Sequence, residues 1–446
     1  MSVDRGGDLP LLLPPGALLL HIGPPKTGTS ALQYSLHEAR PTLLEHGVLY
    51  PGTEVNHHRA VYAFMGRRDL RGTSVRRGLG GSQIGRVPAK SEWADLMREI
   101  NAEPQRRVIV SHEAVARSSD KMAGAFVRAL GVDRIHIAIT LRPPSKFLPS
   151  RWSEHIKEGV SDDTFDEWLR RWYGQSRPPL SVEMRRYLDQ AGLVERWARV
   201  AGPDRVTVII ADRRHARLLT DTFEELLGLP ARTLALGAAG CPANRSMTAP
   251  EAEVIRWLNL RLARDAPSRW RQYIDAIRTD LIDRALARRT PRRGEPRVRM
   301  PDWALPLVTQ DGRRYAERIA ASGVRIVGDL DRYRVEPSAA PDGGAAKDQH
   351  RLLASRPMVA GALLIGAARG VASGAVHSTR RGLASARHAG FPGVAVGRLG
   401  ADDPACVVSP LSARDRHPDR AASVVGVGQH RGSHRPGNGH DRGEQP

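Results

Sequence analysis

Lys26 is followed by Thr27, Gly28, Thr29 and Ser30, and it is preceded by Gly23, Pro24 and Pro25. A cation, a tight turn and small hydroxyl residues in so short a stretch make an anion grip. The lysine supplies a full charge, while hydroxyls and backbone N–H groups donate to anionic oxygens. The elements that must hold this grip are legible on either side. Leu18 to Ile22 is an apolar run that reads as a strand, and helical apolar spacing begins after Ser30. The first N–H groups of a helix have no internal partners and sit at the positive end of its dipole, so an anion binds there. A phosphorylated ligand is predicted. The common triphosphate loop is GxxxxGK[ST], with the lysine after its last glycine; here Lys26 comes before Gly28. A Thr/Ser-rich helix cap with an exposed lysine is the plain alternative.

A second strand end with polar residues beside it is legible further on. Ile135 to Leu141 is a β-rich apolar run, as expected of a buried parallel strand. Arg142 stands at its carboxyl end, and Pro143 and Pro144 open a helix, where proline suits the first turn. Ser150 follows Arg142 by eight residues, a little over two helical turns, so it can face back toward the strand end. The planar fork of arginine matches phosphate geometry. The plain reading is a surface arginine and a mid-helix serine.

The segment PKTGTSALQ resembles the 5′-phosphosulfate loop of sulfotransferases that use 3′-phosphoadenosine 5′-phosphosulfate (PAPS). Arg142 and Ser150 resemble the arginine–serine pair that holds the 3′-phosphate in that family. Asp204 to Pro230 is similar to a strand, acidic turn and helix with a GLP exit found there, and Tyr315 to Tyr333 looks like the closing segment of bacterial members. The resemblance spans residues 16–335. It implies a P-loop NTPase-like α/β fold, a parallel sheet flanked by helices. It also implies PAPS as co-substrate, with no metal, and sulfuryl transfer to a hydroxyl or amine of a carbohydrate, lipid or small metabolite. Lys26, Thr27, Gly28, Thr29 and Ser30 would hold the 5′ end, and Arg142 and Ser150 the 3′ end. Lys26 would also meet the charge that develops on the leaving phosphate. Asn244-Arg245-Ser246 resembles a late loop that folds over the cofactor, where Arg245 would reach a phosphate; a plain loop arginine is the alternative. One departure stands out. Many members place an adenine-stacking tryptophan just after the loop, and this chain has Ala31.

An acceptor hydroxyl needs a base. Arg107 to Glu113 reads RVIVSHE, a strand that delivers His112 and Glu113 to the same sheet end. A family histidine at the end of a comparable strand makes His112 the preferred base. A near-neutral pKa suits a histidine for the task, whereas a glutamate would need its pKa raised by burial. Glu113 is the second choice, and His112 packing at the strand end is the plain alternative. His57 and His58 form another pair, expected at a helix entry or against the acceptor. His155 is expected to be structural.

The chain has 446 residues and a net charge of +20, of which residues 1–340 carry +14. Such a balance suits a polyanionic cofactor, though general solvated charge explains much of it. No signature of nucleic-acid recognition is present. The densest basic patch, from Arg67 to Arg86, reads as a loop. Cys241 and Cys406 are the only cysteines, so neither a disulfide framework nor a metal cluster is expected. No apolar stretch long enough for a membrane span is visible, and a cytoplasmic location follows. Residues 1–15 read as a flexible lead, 16–235 as the nucleotide-binding core and 236–336 as a mostly helical closing part. Helices are expected over Pro250 to Arg264, Ser268 to Arg288 and Gln310 to Ala321. Residues 337–446 are rich in Gly, Ala, Arg, His, Ser and Pro and read as a largely disordered tail. Two rival functions remain open: a P-loop kinase acting on ATP, and a non-catalytic polyanion-binding protein.

Overall fold

The computed structural model describes residues 11–67, 87–159, 163–212, 214–236, 246–265, 282, 286 and 289–335. The expected tail, Arg245, Cys241, Cys406, the Ser268–Arg288 helix and all of the basic patch except Arg67 lie outside them. Six strands form one all-parallel sheet: β1 (Leu18–Ile22), β2 (Val48–Leu49), β3 (Arg107–Ser111), β4 (Ile135–Leu141), β5 (Val206–Ile210) and β6 (Arg325–Val327). Their order across the sheet is β2-β3-β1-β4-β5-β6. The sheet therefore has β1 near its middle, between β3 and β4, with His21 beside Ser111 on one side and Ala138 on the other. Helices cover both faces. This is the α/β, P-loop-like architecture the sequence predicts.

Burial explains why the central strands are continuous apolar runs. Leu18, Leu20 and Ile22 pack on one side of the sheet with Val108, Val110, Ile137, Ile139, Val206 and Val208. Helices α3 (His58–Met65), α4 (Lys90–Ala102), α5 (Asp120–Leu130) and α9 (Gln190–Ala201) close that side. Leu19, Ile109, Ala138 and Ile209 face the other side, against α1 (Thr29–Glu38), α2 (Arg40–Glu45) and α10 (Leu218–Leu227). Each fully buried leucine or isoleucine contributes about 1.5–3 kcal/mol. A separate apolar cluster joins α6 (Pro144–Lys157), α7 (Phe165–Trp172), α8 (Val182–Leu188), α11 (Ala249–Asp265) and α12 (Leu305–Ala321).

Local signals act as expected. Thr164 and Glu167 form a reciprocal capping box on α7. Thr248 exchanges the same pair of bonds with Glu251 at the start of α11. Gly228, at φ +68°, ends α10. One expectation needs correction. Residues 11–15 are not a loose lead: the Leu13 amide donates to the Leu226 carbonyl at 3.0 Å, and Arg107 Nε donates to the Leu13 carbonyl. Within the closing part, Arg325 to Val327 adds strand β6 beside β5. Three residues are too few to show a period in sequence.

Several histidines are buried in the neutral form. Burial holds His21 down at about 3, His57 and His136 at about 4 and His155 at about 3. The unfolded chain takes up these protons near pH 6.5 and the folded chain does not. Stability is therefore complete above about pH 6.5 and falls as pH drops, by about 1.4 kcal/mol per pH unit for each such group. Urea midpoints should fall steeply between pH 6.5 and pH 4.5. A flat profile there would mean that these rings are charged in the native state.

Candidate active site

The turn after β1 sits where the sequence places it. Gly28 caps α1 at φ +107° and, being glycine, supplies no side-chain cap to that helix. Lys26 also has a left-handed backbone, at φ +77°, which is uncommon and costly for a residue with a side chain. Gly23 is required by contact. A Cβ on it would fall 2.2 Å from Thr140 Oγ1 and 2.7 Å from the Thr140 carbonyl oxygen. The turn thus lies directly on the end of β4.

A chain of hydrogen bonds ties that turn across the sheet. Thr27 Oγ1 donates to the Pro24 carbonyl at 2.8 Å and lies 2.9 Å from Thr140 Oγ1. His21, the one polar residue in β1, sits between Ser111 Oγ (2.8 Å) and Thr140 Oγ1 (3.4 Å). Gln33 of α1 donates to Ser111 Oγ at 3.1 Å and accepts from Asn56 Nδ2 at 3.3 Å. Every member is satisfied by a neighbour, which makes a buried polar network rigid rather than costly.

Helix α6 carries the second half of the site. Lys26 Nζ forms a 2.8 Å ion pair with Glu154 of α6, and Lys157 pairs with the same carboxylate at 2.9 Å. Burial pulls the Lys26 ammonium below its usual value, and Glu154 opposes that pull. Burial pushes the Glu154 carboxyl up, but Lys157 and Lys26 outweigh it and leave it below the usual range. Ser150 is buried one turn before Glu154, and its hydroxyl donates to the Lys146 carbonyl at 3.2 Å. Arg142, half-buried, follows Thr140 by two residues; Gln190 Nε2 donates to its carbonyl at 3.0 Å, and Tyr333 of the closing segment donates in turn to Gln190 Oε1. Arg151, 1% exposed, pairs with Glu158 through both terminal nitrogens (3.2 and 3.1 Å) and locks α6 against Tyr187 of α8. Lys26, Thr27, Gly28, Thr29, Ser30, Arg142 and Ser150 therefore lie around one end of the sheet, between β1, β4 and α6.

His112 and Glu113 follow β3 on the other side of β1. His112 is 2% exposed and Glu113 is 33% exposed. The Ala114 amide donates to His112 Nδ1 at 3.0 Å, so the neutral ring carries its proton on Nε2. That nitrogen faces His58 Nδ1 at 3.2 Å and a Glu113 carboxylate oxygen at 3.9 Å. Burial pushes the Glu113 carboxyl up, but His112, the local backbone, Arg117 and a hydrogen bond with Gln33 outweigh it and hold it below the usual range. His57 caps the entry to α3 and bridges the Ser111 amide (3.0 Å) and the Pro51 carbonyl (3.1 Å). His58 is the first residue of that helix. His155 accepts from Trp168 Nε1 at 3.2 Å, a structural contact. Among the described residues, no group of three His, Cys, Asp or Glu is placed to hold a metal, and no helix is long and apolar enough to cross a membrane. Arg67 pairs with Glu183 of α8 at 3.1 Å.

The sequence reading missed Glu154, Thr140, Gln33 and Gln190. Glu154 had a signal in its spacing, one helical turn past Ser150; His21 had one as a polar residue inside an apolar strand. Thr140, Gln33 and Gln190 carry none, because their roles come from pairing across elements distant in the chain.

No family model matches the chain, and no curated protein matches it. Among solved structures, the chain is similar to a sulfotransferase from Alicyclobacillus acidocaldarius. The identity is 18%, the alignment covers 61% of this chain and 98% of that one, and the TM-score is 0.35.

Gly23→Ala tests the seating of the turn on β4. Because the clash involves backbone as well as a hydroxyl, the variant should lose about 1–3 kcal/mol of stability. Calorimetric melting reads this directly, and an unchanged melting temperature would place the turn elsewhere.

Proposed function

We propose that the chain is a PAPS-dependent sulfotransferase that moves a sulfuryl group to a hydroxyl of a small acceptor. The observation that carries this reading is the link between the two grips. Thr27 touches β4 two residues before Arg142, and Lys26 reaches α6 one turn after Ser150. One nucleoside with phosphates at both ends suits that arrangement. The motif resemblance at PKTGTSALQ and at Arg142 and Ser150 says which nucleoside. A kinase reading lacks its GK[ST] order, and a purely binding role leaves the paired carboxylate and histidine beyond β3 unexplained.

In this reading the acceptor oxygen bonds to sulfur as the bond from sulfur to the 5′-phosphate oxygen breaks. That oxygen keeps the electron pair, and the N–H groups of α1 and the Lys26 ammonium meet the charge where it develops. The acceptor proton passes to a base. Glu113 suits this better than His112, which reverses the preference drawn from sequence. The proton already on His112 Nε2 and the N–H aimed at Nδ1 leave that ring no free lone pair. His112 then serves to position Glu113. Glu154 holds Lys26 until the anion arrives and competes with it.

Calorimetry with 3′-phosphoadenosine 5′-phosphate against ATP tests the nucleotide. The former should bind at least tenfold more tightly, Lys26→Ala should abolish binding while the protein stays folded, and Glu154→Gln should tighten it several-fold. Equal binding of ATP, or intact binding in Lys26→Ala, would overturn the assignment.

The base is read from pH–rate profiles. The Glu113 carboxyl titrates below the ordinary carboxylate range, so it is ionised throughout neutral pH. The rate should stay flat from pH 8 to pH 6 and fall only in acid, and Glu113→Gln should lose on the order of 10²–10⁴-fold. A decline centred near pH 6.5 that vanishes in His112→Ala would restore the histidine.

A further inference from the structure

A cavity of about 460 Å³ opens between α1 and the turn at residues 53–56. Its volume lies within the range of small-molecule sites. It runs along α1 from its first turn. At one end is Ser30, in the first turn of α1. At the other is Gln33, which donates to Ser111 Oγ at the end of β3, directly before His112 and Glu113. A molecule seated here lies against the phosphate-loop helix, with Gln33 between it and the strand end that carries Glu113. Resting on the sulfotransferase reading, we infer that this cavity is the acceptor site and that it takes an uncharged, sugar-like polyol.

The lining decides the chemistry. Gln33, Asn56, Thr53 and Ser30 offer amide and hydroxyl groups that can donate and accept, and Tyr34 adds a ring. With Nδ1 accepting from Arg40, His37 carries a proton on Nε2. Val55 is the sole aliphatic contribution. Drug-like and steroid-like ligands need mostly apolar walls, and this cavity lacks them. The charge is equally telling in so basic a chain. Glu54 is acidic, and among the described residues no lysine or arginine lines the cavity. The nearby Arg40 is committed to the wall itself, bonding His37, donating to the carbonyls of Tyr50 and Glu54 and lying 4.7 Å from the Tyr50 ring centre. An anionic acceptor would meet repulsion without a partner. Alternating donors and acceptors around one aromatic face match a ring of hydroxyls. Asn56 also fixes the geometry: its Oδ1 accepts from the His58 amide at 3.2 Å while its Nδ2 donates to Gln33. The wall that grips the acceptor is thus joined to the His58–His112 pair beside the base.

The test uses the full chain without nucleotide. Saturation-transfer NMR is run with a panel of neutral mono- and disaccharides (glucose, galactose, mannose, N-acetylglucosamine, maltose, lactose), with 2-naphthol and with glucuronate. At least one neutral sugar should show transfer, and 2-naphthol and glucuronate should not. Tyr34→Ala should abolish the sugar signal. Glu54→Lys, at an exposed turn position that tolerates substitution, should bring in glucuronate. With PAPS present, Tyr34→Ala should raise the KM for that sugar at least tenfold, and the affinity for 3′-phosphoadenosine 5′-phosphate should hold within twofold. The inference is overturned if no sugar binds, if 2-naphthol binds best, if Tyr34→Ala leaves sugar binding intact, or if nucleotide affinity falls with it, which would make the cavity the nucleotide's. Sugar binding that persists in a protein unable to bind 3′-phosphoadenosine 5′-phosphate would instead overturn the sulfotransferase reading and keep the site.

Discussion

The contact between Thr27 and Thr140 is the constraint on which the site turns. It is a 2.9 Å hydrogen bond between the turn after β1 and the last full turn-facing residue of β4. Because β1 and β4 are neighbours in a parallel sheet, this bond sets the height of the turn above the strand ends. From Thr140 the network continues through His21 and Ser111 to Gln33. Three strands and one helix thereby hold one another in register at the end of the sheet where parallel α/β folds place their ligands. The network tolerates a histidine in the middle of a buried strand only because both ring nitrogens have oxygen partners. In return it fixes the backbone that presents the N–H groups of α1. The left-handed backbone at Lys26 and Gly28 is then imposed by the anchoring on either side.

Helix α6 is the other arm of this arrangement, and it is secured independently. The buried Arg151–Glu158 pair and the Arg151 bond to Tyr187 fasten it to α8. A buried pair of this kind adds little net stability when complete and costs several kcal/mol when one partner is removed. Its value here lies in orientation. With α6 clamped from the far side, Ser150 and Glu154 present a fixed face to the turn. The closing segment contributes at a distance, since Tyr333 holds Gln190, and Gln190 holds the carbonyl of Arg142.

Much of this was visible in the chain before any coordinates. The strands at 18–22, 135–141 and 206–210 were readable because parallel strands buried on both faces must be continuous apolar runs. The turn at Lys26 and the helix opened by Pro144 were readable from residues with strong local preferences. What was hidden depends on pairing between distant positions. Neither Thr140 nor Gln33 differs in type from many exposed threonines and glutamines, and only the sheet order makes them neighbours. The tautomer of His112 was also beyond reach, because it follows from the amide of Ala114 folding back in a short 3-10 turn. Strand β2, with two residues, and β6, with three, are defined by their neighbours more than by their own residues.

The ion pair between Lys26 and Glu154 has one more implication. The turn carries its own counter-ion, supplied in cis by α6. A solute with one diffuse charge, such as chloride or acetate, gains too little from Lys26 to evict a tethered carboxylate that Lys157 also stabilises. A compact group with several negative oxygens can do so, because it engages the helix N–H groups and the ammonium together. In the role proposed for the turn, the built-in partner would act as a valency filter, keeping the turn closed to the background electrolyte and open to polyvalent anions.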